Sequence, residues 1–213
     1  MATYRTRRTM PAVLVAVILS TAAGLVWASV LQPAARADSC RVASEMASAA
    51  VTPGQRLEAN SLDGVSPAPP GKVQVQVLNA NGMGGVAAIT GGRLSELGFA
   101  PTGTPANDPL HPDLDLPCHG EIRFGVAGQA AARTLSLVMP CAELVRDVRP
   151  DSTVDLALGT KFTTLRPNGA ALEALRGLDE LGQPAPTGPS RGDQAVAPTV
   201  NPDLFRLARQ VTC

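Results

Sequence analysis

The stretch that decides the fold is KVQVQVLNANGMGGVAAITGGRLSELGF, residues 72–99. Valine and glutamine alternate at its start, and this period of two predicts a half-buried strand that ends near Leu78. The glycines of residues 79–85 allow positive φ and predict a turn. A helix is predicted to follow, because apolar residues recur at helical spacing and Gly98 can end it (Val86, Ile89, Leu94 and Leu97).

Further strands and one more helix follow this unit. Residues 99–107 predict a weak, proline-interrupted edge strand, and residues 121–124 predict a short strand with Ile122 and Phe124 on one side. A second helix begins near Gly128 and ends before Pro140. With strands at 142–147 and 154–158, the order is β-α-β-β-α-β-β. We therefore expect an α/β fold in which a small mixed β-sheet carries two helices on one face.

The N-terminal region predicts a single transmembrane helix. Residues 10–31 contain no charged side chain, and 22 helical residues span about 33 Å, the thickness of a bilayer core. Arg5, Arg7 and Arg8 precede them, so the positive-inside rule keeps residues 1–9 in the cytoplasm and exports the rest. The alternative is a signal peptide cut before Asp38, and it exports the same domain. We expect a single-pass plasma-membrane protein with an extracytoplasmic domain.

Composition argues against nucleic acid as a partner. The whole chain has no net charge, and its exported part carries all 18 acidic residues beside 14 of the 18 Lys and Arg. Only 3% of residues are aromatic. Binding to a phosphate backbone needs basic surface, and stacking on bases needs aromatic side chains. The sequence lacks both features.

Four cysteines follow the predicted anchor, in a compartment where thiols oxidise, and predict two disulfides. Three pairings are possible. We expect Cys118 to pair with Cys141, because the two flank a strand–helix unit and should lie near the same end of the sheet. Cys40 would then pair with Cys213. A metal site at Cys118 and His119 is disfavoured, because no C-x-x-C pair exists and His111 lies in a proline-rich loop.

The regions that flank the domain are predicted to be less ordered. Residues 32–71 are polar, small and turn-rich, and we expect an extracytoplasmic stalk there. Residues 166–213 predict a helix capped by Asn168, with leucines at every third position, then a proline-rich linker over 183–202 and a short final helix. Without a disulfide this tail would be mobile.

The motif VQVLNANGMGGVAAITGGRLSELGF, followed by EIRFG and VDLALGTKF, resembles the LytR C-terminal domain family over residues 72–165. These modules occur in actinobacterial envelope proteins, either after a LytR-CpsA-Psr phosphotransferase domain or alone behind a membrane anchor. No such catalytic domain fits into residues 38–71 or 166–213. The resemblance therefore implies a non-catalytic role in cell-envelope integrity and virulence, without a cofactor. It also implies partners among envelope proteins, cell-wall synthesis proteins or cell-wall glycan.

The glycine turn is the candidate ligand site. Its residues fit the pattern G-x-G-x-x-A between a strand and a helix, where free amides attract anions. An anionic glycan or a polyprenyl phosphate is the alternative ligand, contacted by Asn79, Asn81, Gly82, Gly84 and Gly85. However, no acidic residue ends a clean second strand, and asparagine and glycine are equally typical of tight turns. The turn-stabilising role is therefore the preferred interpretation.

Other groups of residues are weaker candidates for a functional site. A serine hydrolase is disfavoured, since there is no G-x-S-x-G motif and only two histidines, although an unrecognised cell-wall hydrolase stays a second alternative. Asp113 and Asp115 lie on a proline-rich loop and are more typical of a solvated turn than of an acid pair. Arg191-Gly192-Asp193 spells an adhesion tripeptide, which chance explains. We predict no catalytic residue and no metal site.

Overall fold

A computed structural model of the protein describes residues 19–20, 54–183 and 199–213. Seven strands form one sheet: β1 Gln55–Leu57, β2 Gln74–Asn79, β3 Ala100–Pro101, β4 Ala106–Asn107, β5 Gly120–Phe124, β6 Glu143–Arg146 and β7 Val154–Leu158. The helices of residues 54–213 are numbered α1 Val86–Glu96, α2 Gln129–Val138, α3 Gly169–Gly182 and α4 Pro202–Ala208. Short 3-10 turns occupy Pro70–Lys72 and Val126–Gly128.

The sheet is mixed, as predicted. Its strand order is β1-β6-β5-β7-β2-β3, and β4 also pairs with β2. Strand β2 runs parallel to β3, β4 and β7, whereas β5 is antiparallel to β7 and parallel to β6. Strand β7 lies between two strand–helix–strand units, β2-α1-β3 and β5-α2-β6, and pairs parallel with β2 and antiparallel with β5.

The main core lies on one face of this sheet. Alternate residues of the central strands pack there against α1 and α2: Val73, Val75, Val77, Ile122, Phe124, Val154, Leu156, Leu158, Ala87, Leu94, Leu135 and Val138. One predicted core position is wrong, because Ile89 is 69% exposed and Thr90 is buried instead. The buried positions of α1 are Ala87, Thr90 and Leu94, a stripe rotated away from Ile89.

The predicted stalk ends too late along the chain. Strand β1 pairs antiparallel with β6 at the sheet edge, and Leu62, only 2% exposed, belongs to the main core. The backbone N–H of Ala68 donates to the carbonyl of Ala130 at 3.2 Å. Residues 54–71 are therefore part of the domain. A few apolar side chains of this otherwise polar segment pack against the core and attach the segment to it. The remainder of the predicted stalk lies outside the described residues.

The C-terminal region is also attached to the domain. Helices α3 and α4 build a second small core on α2, formed by Leu137, Ala171, Ala174, Leu178 and Ala208. The predicted cap is present, since Asn168 Oδ1 accepts a hydrogen bond from the Ala171 N–H at 2.9 Å. Leu172 and Leu181, by contrast, are exposed. Most of the predicted linker, residues 184–198, lies outside the described residues.

The disulfide pairing differs from the prediction. Cys141 bonds to Cys213 across 72 residues of sequence, so neither Cys118–Cys141 nor Cys40–Cys213 is formed. Cys118 is disulfide-bonded as well, and the predicted role of Cys40 lies outside the described residues. The prediction was wrong because it paired the two cysteines that flank the strand–helix unit, whereas α4 packs beside α2 and brings the C-terminus back to Cys141.

The contacts of the chain divide it after Ala37, and residues 54–183 and 199–213 all lie in the second unit. Among the described residues, no helix is long and apolar enough to span a bilayer. The predicted anchor at 10–31 lies outside the described residues except for Leu19 and Ser20.

Candidate functional site

The turn after β2 is built from two consecutive asparagine turns. Asn79 Oδ1 accepts a hydrogen bond from the Asn81 N–H at 3.1 Å, and Asn81 Oδ1 accepts one from the Met83 N–H at 2.9 Å. A side-chain acceptor two residues earlier replaces the backbone acceptor that such a turn lacks. Gly82 and Gly85 then adopt positive φ, and Gly85 precedes α1.

The amide groups of both asparagines also bond to other segments. Asn79 Nδ2 donates to the Met83 carbonyl at 3.3 Å and to Asn107 Oδ1 at 3.4 Å, and Asn79 is 8% exposed. Asn81 Nδ2 donates to the Gly159 carbonyl at 3.4 Å. The structure thus brings the five predicted turn residues together at the carboxyl end of β2. It gives the asparagine side chains internal partners, which supports the turn-stabilising interpretation.

A buried charge cluster on the second face of the sheet was missed by the sequence analysis. Arg123 Nη1 lies 2.7 Å from Asp108 Oδ1, and Nη2 lies 2.6 Å from Asp108 Oδ2. The Arg123 Nε–H also donates to Glu121 Oε2 at 2.9 Å. Arg56 extends the cluster to Glu121 at 3.2 Å and to Glu143. The signal was present, because Glu121 and Arg123 occupy alternate positions of a strand whose other face is apolar.

The surroundings of Arg123 favour the charged form of its guanidinium group. Burial alone would lower the pKa of Arg123, but the hydrogen bond to Asp108 and the charge of Glu121 outweigh burial and raise it. Both carboxylate oxygens of Asp108 are bound by one guanidinium, the strongest geometry for such a pair. The cluster therefore stabilises the position of the loop that begins at Asp108.

His111 belongs to the same cluster. It is buried, and its Nε2 lies 4.0 Å from both Asp108 Oδ2 and Glu121 Oε2. Asp113 and Asp115 are exposed on the same loop. In the part of the chain that the structure describes, no three His, Cys, Asp or Glu side chains are arranged to hold a metal ion.

A second ion-pair group lies beside β7. Arg149 bridges Asp147 and Asp155, with its Nη2 at 2.7 Å and 2.6 Å from one carboxylate oxygen of each. The hydrogen bond to Asp155 is the largest influence on the Arg149 guanidinium, and it raises its pKa despite partial burial. This group connects the β6–β7 loop to the strand that follows it.

Comparisons with known proteins agree with the fold. Residues 72–162 match the family described as LytR cell envelope-related transcriptional attenuator. The chain is 43% identical over 190 residues to the cell envelope integrity protein Cei of Mycobacterium tuberculosis, covering 85% of this chain and 88% of that protein. It is also similar to the crystal structure of the soluble domain of a conserved hypothetical secreted protein from Mycobacterium marinum. That match has 41% identity and a TM-score of 0.63, and covers 76% of this chain and all of the other.

Proposed function

Because the chain belongs to the family of the mycobacterial cell envelope integrity protein Cei, we propose that it too contributes to cell-envelope integrity, as a non-catalytic protein. The observation that carries this proposal is the extent of the similarity. The 43% identity covers 88% of the relative, so it reaches well beyond the domain at residues 72–162. A role in virulence, implied by the family resemblance, stays a prediction.

The geometry of the polar groups supports a non-catalytic role. The two carboxylate oxygens of Asp108 are bound by Arg123, and the side chains of Asn79 and Asn81 are engaged within the turn. General acid–base catalysis needs a group that exchanges protons with a substrate. The strongest charge cluster instead acts as an internal support for the loop after β4.

The proposed location is extracytoplasmic, with residues 10–31 as a single-pass anchor and the N-terminus in the cytoplasm. The uncharged 22-residue segment after three arginines supports the anchor and its orientation. The Cys141–Cys213 disulfide and the description of the Mycobacterium marinum relative as secreted support an oxidising, exported environment. The proposed partners are the plasma membrane, through this anchor, and proteins of the envelope or of cell-wall synthesis.

A second candidate function is binding of an anionic cell-wall glycan or polyprenyl phosphate at the glycine turn. It is favoured by the exposed backbone of Gly84 and Gly85 at the start of α1, where no side chain caps the helix. Backbone N–H groups at such a position attract anions. The asparagines would then act by shaping the turn and not as direct ligands.

The test of the first proposal is envelope permeability in a strain that lacks the protein. Dye uptake and sensitivity to large antibiotics and detergent are compared among the parent, the deletion strain, and deletion strains that express the full chain or residues 38–213 with a cleavable signal peptide. We expect the deletion strain to leak and the anchored form alone to restore the barrier. A deletion strain as tight as its parent would contradict the envelope role, and full restoration by the unanchored form would contradict the anchor.

The second candidate is tested by calorimetric titration of the full chain with a short-chain polyprenyl phosphate. Gly84→Asp is the diagnostic variant, because it places a negative charge at the turn, where an added Cβ would meet no atom within 4 Å. Saturable binding that this variant abolishes supports the turn site. Binding of equal affinity by parent and variant contradicts it.

A further inference from the structure

Two arginines converge on one carboxylate where the segment after β1 meets α2 and the C-terminal tail. Arg133 Nη1 lies 2.9 Å from Asp63 Oδ1, and Arg209 Nη1 lies 2.5 Å from the same oxygen. Arg209 Nη2 also donates to the carbonyl of Ala59. Arg133 comes from α2 and Arg209 follows α4, so three distant segments of the chain supply this cluster. We call Asp63, Arg133 and Arg209 the arginine cluster.

The arginine cluster has more donors than acceptors. The Arg133 side chain is only 5% exposed, yet its Nε and Nη1 have no hydrogen-bond acceptor among the described residues, and neither has Arg209 Nε. The contact of Arg133 Nη1 with Asp63 is an ion pair. Buried donors of a charged group that lack an acceptor are costly, because water no longer solvates them.

The charges in the cluster are also unbalanced. Among the residues that the structure describes, two guanidinium groups share one carboxylate, and these three groups together carry one excess positive charge. Burial lowers the pKa of Arg133 most, and the charge of Arg209 lowers it further, whereas Asp63 raises it. The Asp63 side chain is 55% exposed, in contrast to the arginine beneath it. The single counter-charge is therefore also the most solvated and most easily displaced member of the cluster.

We propose that Arg133 and Arg209 form a binding site for a phosphate group, and that the Asp63 carboxylate occupies this site in competition with the phosphate. A phosphate monoester carries up to two negative charges and several acceptor oxygens, so it can balance both guanidinium groups. Asp63 contacts them through one oxygen. The site is distinct from the glycine turn and goes beyond the proposed envelope role. It takes either free phosphate or the phosphate of a lipid headgroup.

The test is calorimetric titration of the full chain, in a non-ionic detergent, at constant ionic strength. The probes are inorganic phosphate and a water-soluble, short-chain phosphatidic acid, with short-chain phosphatidylcholine as the control lipid. We expect saturable binding of a phosphate probe. Binding of both probes indicates a site for free phosphate, whereas binding of the phosphatidic acid alone indicates a lipid headgroup.

Three variants make the test decisive. Asp63→Asn should bind the phosphate probe several-fold more tightly, because the competing carboxylate is removed, and misfolding cannot produce such a gain. Arg209→Gln should weaken binding about tenfold or more, since a charge-assisted hydrogen bond is lost. Arg206→Gln is the matched control, because Arg206 lies on α4 and its ion pair is with the exposed Asp203.

The outcomes separate a ligand site from a purely structural ion pair. If Asp63→Asn is merely less stable and neither phosphate probe binds it more tightly than the parent, the proposal is wrong. It is also wrong if Arg206→Gln weakens binding as much as Arg209→Gln, because the binding would then reflect general positive charge.

Discussion

Arg123 and Asp108 form a two-point ion pair, buried under the loop that Asp108 begins. The backbone attaches this loop as well, since the Asp108 N–H donates to the Asn79 carbonyl at 2.7 Å and the Leu116 N–H donates to the Ala80 carbonyl at 3.0 Å. The pair therefore joins the centre of the sheet to the same segment that supports the glycine turn. The buried ion pair on one face of the sheet and the glycine turn at the end of β2 are thus connected through this loop.

Arg123→Met should destabilise the domain strongly. Asp108 and Glu121 would keep buried charges without their main partner, and breaking a buried pair in this way costs about 3–5 kcal/mol. The measurement is the free energy of unfolding in urea. The control is Arg93→Met, which breaks an exposed pair with Glu96 and should cost at most about 1 kcal/mol. Similar losses for both variants would show that the pair contributes little.

Cys141→Ser and Cys213→Ser should destabilise the protein equally. They break the same disulfide, which closes a sequence separation of 72 residues, and the chain-entropy relation gives about 4 kcal/mol for such a loop. The double variant should be no less stable than either single variant. Additive losses in the double variant would mean that the two cysteines do not pair.

Asn79→Ala should reduce stability by about 1–3 kcal/mol, because a buried side chain that forms three hydrogen bonds is removed. Asn107→Ala is the control, since Asn107 is exposed and accepts a single bond from Asn79. Thermal unfolding of the two variants measures the difference. A fully stable Asn79→Ala protein that no longer binds a glycan phosphate would instead make Asn79 a recognition group.

Gly85→Ala and Gly84→Ala should differ although they are neighbours. Gly85 has φ +80°, where a side chain costs about 1–2 kcal/mol, while a Cβ at Gly84 meets no atom within 4 Å. We expect a lower Tm for Gly85→Ala and little change for Gly84→Ala. Equal Tm values would show that α1 can begin without the left-handed residue.

Asp151 should titrate below its ordinary range. The Thr153 hydroxyl and then the Thr153 N–H donate to its carboxylate, and both lower the pKa. Because the folded pKa is depressed, the stabilising contribution is present above the unfolded pKa and is lost as pH falls through the folded one. Carboxyl NMR titration of the parent and of Thr153→Ala measures this effect. The pKa should rise in the variant, and an unchanged value would contradict the assignment.

Local patterns predicted the main elements well. The alternating valines of β2, the glycine after α1 and the cap at Asn168 all lie within a few residues of the structure they specify. The wrong prediction for Ile89 also came from a local pattern. Helical spacing identifies an apolar stripe, but Thr90 is buried in place of Ile89 because neighbouring elements determine which side of the helix faces the core.

The candidate site was predicted only in part. The five turn residues do lie together, because they are contiguous and their glycines permit the turn. The partners of the asparagines could not be predicted, since Asn107 and Gly159 reach the turn from distant parts of the chain. The buried cluster around Arg123 and the arginine cluster were missed for the same reason. In each cluster the partners come from distant segments, and the alternation of Glu121 and Arg123 indicated only that these two side chains share a face of the strand.

The order of strands and helices follows from side-chain periodicity. A half-buried strand buries every second residue and a helix every third or fourth, so residues that are close together in the sequence identify the element. The partner of Cys141 does not follow from it. Docking of α4 beside α2 brings Cys213 to Cys141 from 72 residues away, and the burial of Leu62 attaches a segment with the composition of a stalk. Such long-range contacts form when their combined packing outweighs the entropy of closing the chain.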